Sequence, residues 1–118
     1  MPSVMIVDDA AFMRVSIRNI LLKNGFEVAG EAENDTVAVQ KYAELKPDVV
    51  TMDITMPEMN GLDALKAIRK LDPDAKVVMV SALGQEAMVR DAVIAGAKGF
   101  IVKPYKEDII VETLRKLG

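Results

Sequence analysis

Short runs of consecutive apolar residues alternate with stretches where apolar residues recur every three or four positions. The runs cover residues 4–7, 27–30, 49–52, 77–80 and 100–102. They are rich in Val and Ile, and most are apolar on successive rather than alternate residues. That is the pattern of strands covered on both faces, as in a parallel sheet. Between the runs, Met13, Ile17, Ile20 and Leu21 repeat with helical spacing, and Gly25 follows as a stop. Ala38, Tyr42 and Leu45 form the next such stripe, with Asn34 placed to cap its start and Pro47 just beyond its end. Leu65, Ile68 and Leu71 continue the pattern after Gly61, and residues 85–95 and 107–117 give two further helices, Gly96 ending the first. On the last helix Ile110, Leu114 and Leu117 suit a core stripe, and Ile109 and Val111 widen it into a shoulder that packing or a partner can use. Strand then helix, five times over with short connections, predicts an α/β fold with right-handed crossovers and one domain over 1–118.

In open parallel sheets, ligands sit beyond the carboxyl ends of the strands. The first predicted strand runs into Asp8 and Asp9, the third into Asp53, the fourth into Ser81 and the fifth into Lys103-Pro104. The second ends at Glu31, which is less telling. Three acids, a hydroxyl and a lysine are therefore expected on one rim. Taken singly, each has a plainer reading. Asp8 and Asp9 suit the start of a helix, Asp53 a turn before Pro57 and Gly61, Ser81 the cap of the fourth helix, Phe100 the core, and Thr55 the turn. Those readings do not explain why the residues share a rim.

Composition narrows the chemistry. The chain has 118 residues, enough to bury roughly two thirds of its unfolded surface, and its 51% apolar content excludes a disordered tail. It has no cysteine and no histidine, so disulfides, thiolate metal sites, a Cys nucleophile and a His general base are all excluded. A net charge of −3 leaves no basic stripe for direct nucleic-acid binding. No apolar run is long enough to span a membrane and no signal peptide is evident, so a cytoplasmic protein is the expectation.

Three crowded carboxylates cannot all stay ionised cheaply, and Lys103 offsets only one. A hard divalent cation bound through oxygen is the simplest remedy. Mg²⁺ suits best, because it accepts one or two carboxylates, keeps several waters and leaves room for phosphate oxygens. With that cation the formal charge of the rim balances to zero, and a phosphoryl group is admitted. Without His or Cys, a carboxylate is the best nucleophile, and Asp53 ends the most buried-looking strand. Ser81 can meet a phosphoryl oxygen.

The stretches IVDDAAFMR, DVVTMDITMPEMNG, VSALG and AGAKGFIVKP, in this order and spacing, resemble the receiver domain of two-component response regulators across the whole chain. The nearest likeness is to single-domain chemotaxis regulators. The resemblance implies a doubly wound (βα)5 flavodoxin-like fold with strand order 2-1-3-4-5. It implies that Asp53 accepts a phosphoryl group from a sensor histidine kinase. Asp8, Asp9, Asp53 and the backbone carbonyl of Thr55 would hold Mg²⁺, and Lys103 would pair with the acids and then with the phosphate, its bond to Pro104 being cis. Ser81 would shift toward the phosphoryl group and Phe100 would turn inward, remodelling the face of the fourth helix, fifth strand and fifth helix. The chain would be a monomeric phospho-acceptor rather than a turnover enzyme, acting on the flagellar motor switch or another output protein and served by an auxiliary phosphatase.

Two positions depart from the common chemotaxis pattern. Phe100 stands where Tyr is frequent, and Leu83 is apolar where many relatives are polar, which predicts slow self-dephosphorylation. Other readings compete. An aspartate-nucleophile phosphatase would carry a second acid at the position of Thr55. A flavodoxin-like cofactor binder would not place Asp8 and Asp9 at its phosphate loop. A pseudo-receiver would not need the full set of acids and lysine. No output module follows the last helix, so output is expected to pass through a partner. The alternative is the receiver of a larger regulator, a methylesterase or a DNA-binding transcription factor.

Overall fold

The computed structural model describes residues 2–56, 59–82 and 84–117, with only the backbone at 55–56 and 59–60. Five parallel strands form the central sheet: β1 (Ser3–Val7), β2 (Glu27–Ala32), β3 (Val49–Asp53), β6 (Val77–Ser81) and β7 (Gly99–Val102). Their spatial order is β2-β1-β3-β6-β7, the expected 2-1-3-4-5 once a small hairpin, β4 (Thr55–Met56) with β5 (Met59–Asn60), is set aside. The helices are α1 (Ala11–Lys23), α2 (Asp35–Leu45), α3 (Gly61–Leu71), α4 (Glu86–Ile94) and α5 (Glu107–Leu117).

Period-two burial in the strands separates two cores. Val4, Ile6, Val49, Val78 and Ile101 face α1 and α5, where Ile17, Leu21, Ile110 and Leu114 meet them. Met5, Val50, Met52, Val77 and Met79 face α2, α3 and α4, through Ala38, Tyr42, Leu65, Ile68 and Ala92. Each large buried side chain contributes roughly 1.5–3 kcal/mol. That sum allows the fold to hold mutually repelling acids at the strand ends.

Local signals act as the sequence predicts at several ends. Asn34 caps α2 through its side chain, accepting the Val37 N–H at 2.9 Å. Gly25 and Gly96 adopt positive φ of 83° and 110° just after α1 and α4. Other expectations need correction. Ser81 does not cap α4: it is the last residue of β6, and Gln85 occupies the cap position, its side-chain oxygen accepting the Ala82 N–H at 2.6 Å rather than a helix N–H. β2 runs on to Ala32, so Glu31 lies inside the strand. Leu71 is exposed. Val111 belongs to the core and only Ile109 remains as the exposed shoulder.

Candidate functional site

Parallel pairing of β1 with β3, β3 with β6 and β6 with β7 brings their carboxyl ends to one rim. Asp8 follows β1, Asp53 ends β3, Ser81 ends β6 and Lys103 follows β7. Carboxylate oxygens of Asp8, Asp9 and Asp53 lie within 4.8 Å of one another. Asp8 and Asp53 are buried and Asp9 is exposed. The Lys103 ammonium stands 3.7 Å from Asp53 Oδ2 and 3.9 Å from Asp8 Oδ2. The Lys103–Pro104 peptide bond is cis.

The segment between β1 and α1 is held by backbone bonds. The Asp8 N–H donates to the Ala32 carbonyl at 3.1 Å, and Asp8 Oδ1 accepts the Ala10 N–H at 2.9 Å. The acid pair therefore does not cap α1 in the ordinary way; Ala10 holds the cap position and has no side chain to use. At β3 a glycine permits close approach. A Cβ at Gly61 would lie 2.1 Å from the Asp53 carbonyl oxygen and 2.9 Å from Ile54 Cα, and the Gly61 N–H donates to Ile54 O at 3.0 Å. The first turn of α3 thus packs directly on the backbone that carries Asp53.

Burial pushes the Asp8 carboxyl above its ordinary range, against the Ala10 N–H and the Lys103 charge, which pull it down. Among the described residues, the buried Ser81 hydroxyl has no hydrogen-bond partner, and neither has the buried Thr51 Oγ1 in the sheet interior. An unsatisfied buried hydroxyl at the rim is a donor available to an incoming oxygen. Phe100 is half exposed on β7 and borders a cavity of ≈300 Å³ with Ser81, Val89 and Val102.

The donor set fits a hard cation. It is all oxygen, it carries more negative charge than Lys103 offsets, and Asp8 is buried at an energetic cost that a cation would relieve. Thr55 opens β4, its backbone paired with Asn60, two residues beyond Asp53. Leu83 lies outside the described residues. The structure also brings in Arg14, which the strand-end reading passed over, and gives a partner to Glu31, which that reading set aside. Arg14 NH1 donates to the Asp8 carbonyl at 2.6 Å, and Glu31 pairs with Arg14 at 3.5 Å and with Arg18 at 2.7 Å. An arginine spaced to reach back over the first helical turn was the available signal.

The profile of the response regulator receiver domain matches residues 4–115. The chain belongs to the response regulator receiver family. This receiver is 62% identical over 115 residues to the chemotaxis protein CheY of Thermotoga maritima, covering 98% of this chain and 96% of that one. It is 59% identical to the CheY of Bacillus subtilis, covering 96% and 94%. Among solved structures, the response regulator domain of Thermotoga maritima CheB superposes with a TM-score of 0.91 at 40% identity, over 99% of this chain and 96% of that one. The CheY of a CheX–CheY–BeF3–Mg complex from Borrelia burgdorferi gives 0.91 at 40% identity, over 97% and 87%. Among the described residues of the receiver, no helix is long and apolar enough to cross a membrane.

Proposed function

We propose that the receiver is a Mg²⁺-dependent phospho-acceptor of a chemotaxis phosphorelay, modified on Asp53 by a sensor histidine kinase. The observation that carries this reading is the convergence of Asp8, Asp9 and Asp53 within 4.8 Å, with Lys103 against two of them. Asp8, Asp9, Asp53 and the Thr55 carbonyl would hold Mg²⁺. When bound, the cation neutralises the acid cluster and the phosphoryl oxygens.

The residues then have separable tasks. An Asp53 carboxylate oxygen attacks the phosphorus of a phosphohistidine; the O–P bond forms, the N–P bond breaks, and the imidazole leaves with that electron pair. Lys103 is placed to move from its acid partners to a phosphoryl oxygen. Ser81, whose hydroxyl has no partner among the described residues, donates to another. Its shift opens the adjoining cavity to Phe100, which now stands half exposed beside it. The face of α4, β7 and α5 would change shape and so change affinity for an output protein. The two CheY relatives are chemotaxis proteins, which supports a chemotaxis output, and the flagellar motor switch is the output proposed. The receiver of a methylesterase is the second reading; the CheB domain supports it at the lower identity of 40%.

Transfer from a chemotaxis-type histidine kinase charged with labelled phosphate tests the assignment. Label should pass to the receiver within seconds and fail to pass to Asp53→Asn. Label retained by the kinase, with the wild-type receiver folded and Mg²⁺ present, would contradict it.

A further inference from the structure

The Arg14 side chain is 18% exposed and holds the acid segment by the backbone carbonyl of Asp8. NH1 donates to the backbone carbonyl of Asp8 at 2.6 Å, and Nε lies 3.5 Å from Glu31 Oε1. Glu31 is itself fixed from two more sides. Arg18 NH1 meets its other oxygen at 2.7 Å, and Lys41 donates to its backbone carbonyl at 2.5 Å. Arg14 is thus a strut between β2 and the segment that carries the acid pair.

The carbonyl it grips belongs to the peptide unit joining Asp8 to Asp9. The orientation of that plane sets the direction in which both side chains leave the backbone. The other bonds on the segment act elsewhere: the Asp8 N–H is bound to Ala32, and the Ala10 N–H to the Asp8 carboxylate. A guanidinium suits the task because its fork can serve a carbonyl and a carboxylate together without losing its charge.

We infer that Arg14 is a positioning residue for cation binding, acting by fixing the Asp8–Asp9 peptide plane against Glu31. This rests on the reading of the acid cluster as a Mg²⁺ site. The charge of Arg14 and its geometry have opposite consequences. Removing a nearby positive charge would by Coulomb's law tighten cation binding. Releasing the peptide plane would weaken it, because partners that orient metal ligands typically set affinity by tenfold or more.

The sign of the change is therefore the test. The metal-free full chain is titrated with MgCl2 while amide resonances of residues 8–10 are followed by NMR, for wild type, Arg14→Gln and Arg14→Lys. Arg14→Gln should bind roughly tenfold more weakly. Arg14→Lys, which keeps the charge and one donor but not the fork, should fall between. Affinity in Arg14→Gln equal to or tighter than wild type would overturn the inference. If Arg14→Gln does not fold, Arg14→Lys decides, and wild-type affinity there overturns it. Absence of any Mg²⁺-dependent shift in the wild type would instead overturn the cation reading itself.

Discussion

Asp8→Asn should make the metal-free receiver more stable at neutral pH. At an effective dielectric of about 20, the Lys103–Asp8 pair at 3.9 Å attracts by about 4 kcal/mol. A carboxylate pair at 4.8 Å, the outer bound for Asp8 and Asp53, repels by about 3.5 kcal/mol on the same scale. Asp9 is exposed, so its repulsion of Asp8 is screened to about 1 kcal/mol or less. These pair terms nearly cancel. What remains is the burial of Asp8, 2% exposed, whose desolvation is also the largest cause of its raised pKa. Asparagine keeps the oxygen that accepts the Ala10 N–H and removes the charge. Burying an ion costs several kcal/mol and burying the amide that replaces it about 1–3 kcal/mol, so a gain of about 1–2 kcal/mol is expected. That is an upward shift of roughly 5 °C in the unfolding midpoint for a chain of this size.

The assay is thermal unfolding by circular dichroism in EDTA at several pH values. Because the folded-state pKa of Asp8 is raised, protonation favours the native state. That contribution is fully present below the unfolded carboxyl value and is lost as pH rises through the folded value. The gap between variant and wild type should therefore close as pH falls through that interval. Added Mg²⁺ should raise the wild-type midpoint and leave the variant nearly unmoved. A variant less stable than wild type at neutral pH, or a gap that does not change with pH, would mean that the buried Asp8 charge is not a net cost to the fold.

Three further outcomes follow from single contacts. Gly61→Ala must push the Asp53 backbone away from a Cβ that would lie 2.1 Å from its carbonyl; urea unfolding should show a loss of about 1–3 kcal/mol, with slowed phosphoryl uptake. Thr51→Val removes a buried hydroxyl that has no partner among the described residues, and the urea midpoint should rise by an amount equivalent to about 1 kcal/mol. The Tyr42 hydroxyl donates to Asp72 Oδ2 at 2.8 Å and is the main cause holding the Asp72 carboxyl below its ordinary value. That contribution is present above the unfolded carboxyl value and lost as pH falls through the folded one, so Tyr42→Phe should lower the unfolding midpoint at neutral pH and approach wild type in acid.

Much of this was legible in the sequence because it rests on local pattern. The Val- and Ile-rich runs mark the strands, Asn34 and Gly96 mark helix ends, and strand-end position alone brings Asp8, Asp53, Ser81 and Lys103 together. Other features are decided by tertiary geometry. A two-residue strand such as β4 has no periodicity to read, so the hairpin before α3 was invisible. Ile109 and Val111 straddle the core stripe of α5, and the roll of the helix on the sheet decides which is buried. Ser81 fits both a strand end and a helix cap, and the length of β6 settles it. The Arg14–Glu31 pair joins elements through a register that one chain does not reveal.

Phosphoryl uptake on Asp53 is proposed to depend on a cation. The most direct measurement is the intact mass of the receiver after incubation with Mg²⁺ and a small acyl phosphate, beside Asp53→Ala and a metal-free control. One added phosphoryl group is expected in the wild type and none in either control. Equal uptake by Asp53→Ala, or uptake that is indifferent to Mg²⁺, would contradict that proposal.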